Sequence, residues 1–282
     1  VNQHEVSRDK RFLVTVTDGS LGPAVGIRTL WRSILRHRPE FQNEWQTVAL
    51  YPSWAWPPTN ACAETLSDYR ILEIPQARHV DPYAAKMVLA SFVSTLPGDA
   101  EILYLDYDHV CLAPFHPGFP FRDAVRVGSR VGTLRLADGP GTPVRATDLK
   151  ILLAGRQINT SLLHARCSTL RDATRSWEVA YEGLAGIADP RFHEEIAFFV
   201  SAAKAGIEVR PVAPRVQAEW SDAETDAQLF HYGGDSSESL ALKQALPVFA
   251  KTGAIPEECA AIVGQHVLGR RVLAELIGTV AM

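Results

Sequence analysis

Cysteine is scarce in this chain and never closely spaced: Cys62, Cys111, Cys167 and Cys259 form neither the near pairs of a zinc site nor a redox Cys-x-x-Cys. Four reduced, buried thiols in a cytoplasmic protein are the expectation. No stretch reaches the ~18 consecutive apolar residues of a membrane span, and the opening VNQHEVSRDK carries no secretory apolar region. Basic residues are not in excess either: 28 Lys and Arg stand against 32 Asp and Glu, a formal net charge of −4, and they are scattered along the chain. Nucleic acid is therefore not an expected partner. Neither a linker nor an internal repeat interrupts the 282 residues, whose 46% hydrophobic content suffices for a substantial core. A single domain over residues 1–282 is expected.

What is present is an alternation of strand and helix. RFLVTV reads as a strand from Arg11 to Val16 that stops at Thr17, Asp18 and Gly19. Ile27, Leu30, Trp31, Ile34 and Leu35 then recur at helical spacing, with basic residues toward the end as the helix dipole favours. TVALYP and YRILEIP read as two more strands, separated by a loop that carries Trp54 and Trp56. Asp81 and Pro82 look like the N-cap and first turn of a helix running through Leu96. This pattern predicts an α/β fold with a doubly wound, mostly parallel sheet, in a first half at 11–115 and a second half at 116–246. The C-terminal segment, 247–282, is expected to be helical, and its closing stretch from Glu258 to Met282, which sets Arg270 and Arg271 among apolar residues, reads as an amphipathic helix that packs on the domain, with peripheral membrane contact as the alternative.

The chemistry concentrates at EILYLDYDH. Asp106 and Asp108 follow an apolar run of strand length, and the carboxyl ends of strands are where open α/β sheets bind ligands. Two acids one residue apart converge on a hard cation if the chain bends at Tyr107. His231 also follows an apolar run, and Gly233 and Gly234 come next, letting backbone N–H groups approach an anion. Asp106, Asp108 and His231 together make a donor set suited to Mn²⁺, with Mg²⁺ as the alternative.

On these ordered features, spanning roughly residues 11 to 240, the sequence resembles the GT-A glycosyltransferases, in particular the retaining family of glycogenin and the lipopolysaccharide galactosyl- and glucosyltransferases. That resemblance implies a GT-A-like mixed sheet, and transfer of a sugar from a nucleotide-sugar donor, UDP-hexose favoured, to a saccharide or small-molecule acceptor. It implies that Thr17 and Asp18 lie near the base and ribose, and that Lys86 contacts the diphosphate. Asp106, Tyr107 and Gly234 join the nucleotide-sugar contacts. INTSLLHARCSTLR matches the asparagine-bearing strand after the D-x-D, with Asn159 in place; HEEIAFF matches the acidic segment beside the sugar and supplies Glu194 and Glu195 as catalytic candidates; FHYGG makes His231 the third metal ligand.

Departures from the family pattern are specific. A lysine follows the His-Tyr-x-Gly by three residues in the family, where this chain has Ser237 and its next lysine is Lys243. The acidic segment reads Glu-Glu where relatives have Asp-Gln. If HEEIAFF opens a helix, its two glutamates stand about 100° apart, so one is expected in the cleft, Glu195 by preference, and the other facing solvent or a basic partner. Two further readings compete. DYDHV also fits the signature of haloacid-dehalogenase-like phosphatases, but GDSSES has Ser239 where their second acid belongs. A non-catalytic nucleotide-sugar binder, with Trp54 and Trp56 as a docking surface, is the other.

Overall fold

In the computed structural model the described residues are 10–75, 84–118, 120, 124–130, 157–184, 190–213, 215–220, 226–234 and 236–280. Asp81 and Pro82 lie outside them, as does most of the Gly- and Pro-rich stretch after residue 130.

β1 (Arg11–Val16), β2 (Gln46–Pro52) and β4 (Glu101–Leu105), three strands of near-continuous apolar sequence, run parallel in the sheet, and β3 (Arg70–Ile74) extends them as a parallel, half-exposed edge strand. Strands buried on both faces need apolar residues at successive positions, and every residue of β4 is buried. β5 (His109–Cys111) is short and leaves this sheet. β6 (Ala124–Arg130), β7 (Gln157–Arg166) and β8 (Glu208–Pro211) complete a seven-stranded sheet of order β3-β2-β1-β4-β7-β6-β8. β7 alone among these runs antiparallel to its neighbours. β9 (Gln217–Ala218) and β10 (Leu229–His231) join β5 in a separate three-stranded sheet in which His231 pairs with His109.

One face of the large sheet packs against α1 (Leu21–His37), α2 (Phe41–Glu44) and α3 (Asn60–Thr65) through Ile27, Leu30, Trp31, Phe41, Cys62 and Leu66. The other is covered by α4 (Val88–Ser94), α5 (Cys167–Thr174), α6 (Trp177–Glu182) and α7 (Pro190–Lys204), with Phe92, Leu170, Trp177, Phe198 and Phe199 in the core. A third cluster ties the small sheet to α8 (Ser237–Thr252), α9 (Glu257–Val263) and α10 (Val267–Val280) through Phe230, Tyr232, Leu246, Phe249, Val263, Val272 and Leu276.

The closing stretch is two helices instead of the single one expected. Glycine explains the break: a side chain at Gly269 would lie 2.0 Å from Val263 O, so α10 crosses the end of α9 at backbone contact. Its apolar stripe is spent on that packing. No helix among the described residues is long and apolar enough to cross a membrane.

Two features aim the D-x-D. Gly26 in α1 lets that helix touch the turn after β4, since a Cβ there would sit 2.6 Å from Tyr107 O. The second is a bulge. Val127 pairs with Leu163 but the next residue, Gly128, pairs with Asn159, so β7 carries extra residues 160 to 162 against no partner on β6. Bulges re-aim side chains next to active sites. Here Asn159 is turned toward the small sheet and Thr160 to the opposite face.

Candidate active site

Asp106 begins where β4 ends, its N–H donating to Ser161 O at 2.8 Å on the bulged strand. Its carboxylate does not face Asp108. Oδ2 accepts from Lys86 Nζ at 3.1 Å and Oδ1 from the buried Tyr104 hydroxyl. Lys86, on the single 3₁₀ turn Ala85–Met87, also reaches Glu194 Oε2 at 3.1 Å and Thr160 Oγ1 at 3.2 Å. Thr160 in turn donates to the Glu194 carboxylate, 2.8 Å from Oε2. Burial alone would lower Lys86, but the carboxylates of Asp106, Glu194 and Glu195 outweigh it and hold the ammonium well above its ordinary range. Burial raises Glu194, with Lys86 and Thr160 pulling it back. One ammonium thus serves several acids in a largely water-free space.

Asp108 stands on the other side of β7. Tyr232 N–H donates to its backbone carbonyl at 2.9 Å, which fixes the turn to β10. Its Oδ1 lies 3.2 Å from His231 Nε2, yet off the axis of a hydrogen bond, and this buried oxygen has no hydrogen-bond partner among the described residues. Oδ2 lies 3.5 Å from Lys243 Nζ. Burial by itself would raise Asp108; the positive charges of His231 and Lys243 outweigh it and keep the carboxyl well below its usual range.

His231 is oriented from behind. Its Nδ1 donates to Glu219 Oε1 at 2.7 Å, and Asn159 Nδ2 donates to the same oxygen at 2.6 Å. Such a carboxylate behind an imidazole fixes which nitrogen faces the ligand, here Nε2. Burial would lower His231, but Asp108 and Glu219 outweigh it and lift it to about 10. Against the ring stacks His109, centroids 4.7 Å apart. Burial, aided by the neighbouring His231, pushes His109 down to about 4. Its Nδ1–H donates to Asp106 O at 3.0 Å, and its Nε2 accepts from Gln217 Nε2 at 3.2 Å. The ligand atoms of Asp108, His109 and His231 fall within 4.8 Å of one another. Gly233 is glycine for space: a Cβ there would sit 2.3 Å from His231 Nε2 and 3.0 Å from Asp108 Oδ2.

The residues expected from sequence thus divide into two neighbouring groups. Asp108, His231 and Asn159 meet on one side of β7; Asp106, Lys86 and Glu194 meet on the other. Neither glutamate faces solvent, since Glu194 and Glu195 are 4% and 7% exposed, and it is Glu194 that meets the basic partner Lys86, together with Thr160. A helix start packed under β7 buries successive residues, because Trp177 and Phe198 close its flanks. Thr17 ends β1 beside β4 on the same sheet edge, its N–H donating to Leu50 O at 3.1 Å. Asp18 closes a local turn by accepting from Ser20 N and Oγ at 2.9 and 2.7 Å. Tyr107 lies under Gly26, and Gly234 adopts φ 92° at the exit of the small sheet, where Lys243 Nζ donates to its carbonyl at 3.4 Å. Glu219, Gln217, Thr160, Tyr104 and His109 were not singled out from sequence. Only His109, directly after the D-x-D, carried a signal that spacing could have found. Lys243 was set aside for its distance from the motif; α8 folds it back over Asp108.

The sequence matches no family profile and no curated protein sequence. Solved structures do resemble it. The bifunctional glycosyltransferase WbbM, in its apo form, superposes with a TM-score of 0.52 at 12% identity over 82% of this chain, which spans only 47% of WbbM's length. An active-site mutant of LgtC superposes at 0.55 and 14% identity, covering 88% of this chain and 98% of that one. The galactosyltransferase LgtC in complex with donor and acceptor sugar analogues gives 0.53 and 12% over the same shares. At these identities the likeness concerns the fold, and the fold is GT-A-like.

Proposed function

We propose that this chain is a glycosyltransferase that moves a sugar from a nucleotide-sugar donor, UDP-hexose favoured, to a saccharide or small-molecule acceptor with retention of configuration. The observation that carries this reading is the pairing of Asp108 and His231 at the carboxyl edge of the sheet, directly beside the Lys86–Asp106–Glu194 group. LgtC, which shares the fold, has been seen with donor and acceptor sugar analogues.

A divalent cation, Mn²⁺ or Mg²⁺, fits the donor set: Asp108 offers a buried carboxylate oxygen without a hydrogen bond, and His231 Nε2 faces it with Nδ1 anchored. Asp108 and His231 would hold the ion, and His109 is the nearest third donor. Asp106 would have to exchange Lys86 for it. When bound, such an ion offsets charge on the diphosphate oxygens.

The chain's own groups account for the rest. Breaking the bond between anomeric carbon and diphosphate leaves negative charge on the leaving oxygen, and Lys243 beside Asp108 is a cation already positioned for it. Lys86 pairs with Asp106 and Glu194 in a buried space, where a carboxylate stabilises oxocarbenium character through space or by covalent attack. Glu194 is the nearer candidate by its contacts, with Glu195 next to it in the helix. Thr17 and Asp18, at the end of β1, are the residues for base and ribose.

The test is calorimetric titration of UDP into wild type and Asp108→Ala, with and without Mn²⁺, followed by turnover of UDP-hexoses and the anomeric configuration of the product. Mn²⁺-dependent UDP binding that Asp108→Ala abolishes supports the reading. Equal affinity with and without metal, or an inverted product, refutes the metal or the retaining part respectively.

A further inference from the structure

A second cavity lies behind the wall of the site, at the unfilled end of the core face that α1 covers. Leu103 of β4 and Leu162 of β7 form its floor, Phe115 and Val216 separate it from the small sheet, and Val212 and Ala213 form its outer rim. Its volume is about 260 Å³, room for roughly nine water molecules at ~30 Å³ each. None of the residues assigned above to nucleotide, sugar or ion lines it.

Its polar groups are basic. Arg126 of β6 and Arg210 of β8 are directly paired across the parallel ladder, so both guanidinium groups rise from neighbouring strands into the same cavity wall. Arg126 is held there by donating to Pro117 O, and Arg210 by Glu208 at 2.6 Å. Burial lowers Arg126, the Glu101 carboxylate pulls it back up, and Arg210 adds a smaller lowering. A guanidinium's five donors let it serve a neighbour and a ligand together. His116 stands exposed at the mouth. His164, 1% exposed, lines the floor; its Nε2 donates to Glu101 at 2.8 Å, and its Nδ1 has no hydrogen-bond partner among the described residues.

An apolar chamber with two adjacent guanidinium groups on its wall suits a ligand with a hydrocarbon body and one anionic end. We infer that this cavity binds a small amphipathic carboxylate of about ten non-hydrogen atoms, its apolar part against Leu103, Phe115 and Leu162 and its carboxylate on Arg126 and Arg210. A planar carboxylate matches the fork of a guanidinium in a way that a point anion does not. The site stands independently of the transferase reading, because no group is shared.

The experiment is titration of the full chain with octanoate, 1-octanol and inorganic phosphate, followed by calorimetry and thermal shift. Octanoate is expected to bind with Kd of roughly 0.1–1 mM and to raise the melting temperature with concentration, while octanol and phosphate do neither. Ala213→Trp, at the exposed rim, should abolish octanoate binding by filling the chamber. Arg210→Gln, on a solvent-accessible side chain, should weaken it about tenfold. Absence of octanoate binding, equal binding of octanol, or binding unchanged in Ala213→Trp overturns the assignment.

Discussion

Replacing Lys86 by methionine removes the one cation that, among the described residues, the Asp106 and Glu194 carboxylates share, without removing the bulk of the side chain. Lys86 is 14% exposed in its side chain and Glu194 5%. Deleting one partner of such a buried pair leaves uncompensated charge and costs about 3–5 kcal/mol. For a chain of this size that is a fall in Tm of roughly 6–20 °C, at about 2–4 °C per kcal/mol. The pH dependence makes the cause testable. Burial already raises Glu194 above its ordinary value of 4.5, and without Lys86 that rise grows. A carboxyl whose folded pKa lies above its unfolded one favours the folded state at low pH, and that contribution is lost as pH rises through the folded pKa. The deficit of Lys86→Met against wild type should therefore be largest near pH 8 and shrink as pH falls toward 4.5. Urea denaturation of both proteins at pH 8, 6.5 and 5, read by tryptophan fluorescence, measures it. A deficit that is constant across this range, or below about 1 kcal/mol at pH 8, would show that Lys86 does not hold the acids together.

His164 gives a second pH signature: burial lowers it despite Glu101, so wild type should lose stability as pH falls below 6.5, and His164→Leu should lose less over the same interval in urea melts. Gly233→Ala drives a methyl to within 2.3 Å of His231 Nε2; overpacking of this kind costs about 1–3 kcal/mol, and UDP affinity in Mn²⁺ should fall at least about tenfold by calorimetry, whereas Gly234→Ala at φ 92° should act through backbone strain on stability. Lys243→Gln, 30% exposed in its side chain, should change stability by less than about 0.5 kcal/mol and yet weaken UDP about tenfold in a titration, consistent with loss of one charge-assisted contact. Glu219→Ala should lower Mn²⁺ affinity about 10- to 100-fold by equilibrium dialysis, the range usual for a residue that orients a ligating histidine, with Glu219→Asp recovering part of it.

Local pattern made much of this molecule legible. β1 runs from Arg11 to Val16 as its apolar run does, α1 begins at Leu21 after a turn that Gly19 completes at φ 81°, and the D-x-D stands at the end of a fully buried strand. What sequence could not show were choices between distant partners. Asp106 and Asp108 look equivalent in LDYDH, but the tyrosine two residues before and a lysine on another element claim the first, while β10 and α8 claim the second. The bulge on β7 has no composition signature, because INTSLL reads as a regular strand until its pairing with β6 is known. Glu219 sits in VQAEW, where nothing local marks it, and it acquires its task only when β9 lies beside β10. The C-terminal break likewise depends on where α10 must cross α9, a tertiary demand that Gly269 meets.

The small sheet has a consequence in time as well as space. β5 is remote in sequence from the two strands it joins: Tyr232 hydroxyl meets Tyr107 O across 125 residues, and Gln217 meets His109 across 108. Contacts this remote are reached late, since loop-closure entropy must be met before they give anything back. In the large sheet β1 pairs with β2 and β2 with β3 in chain order, whereas β4 returns to β1 across 90 residues. During synthesis the acids of the D-x-D therefore emerge long before the imidazole that completes the pair, and the chain spends that interval with two carboxylates and no partner for the second. The contact of Asp108 with His231 therefore exists only in the finished topology, and its presence is a gauge of how far folding has gone.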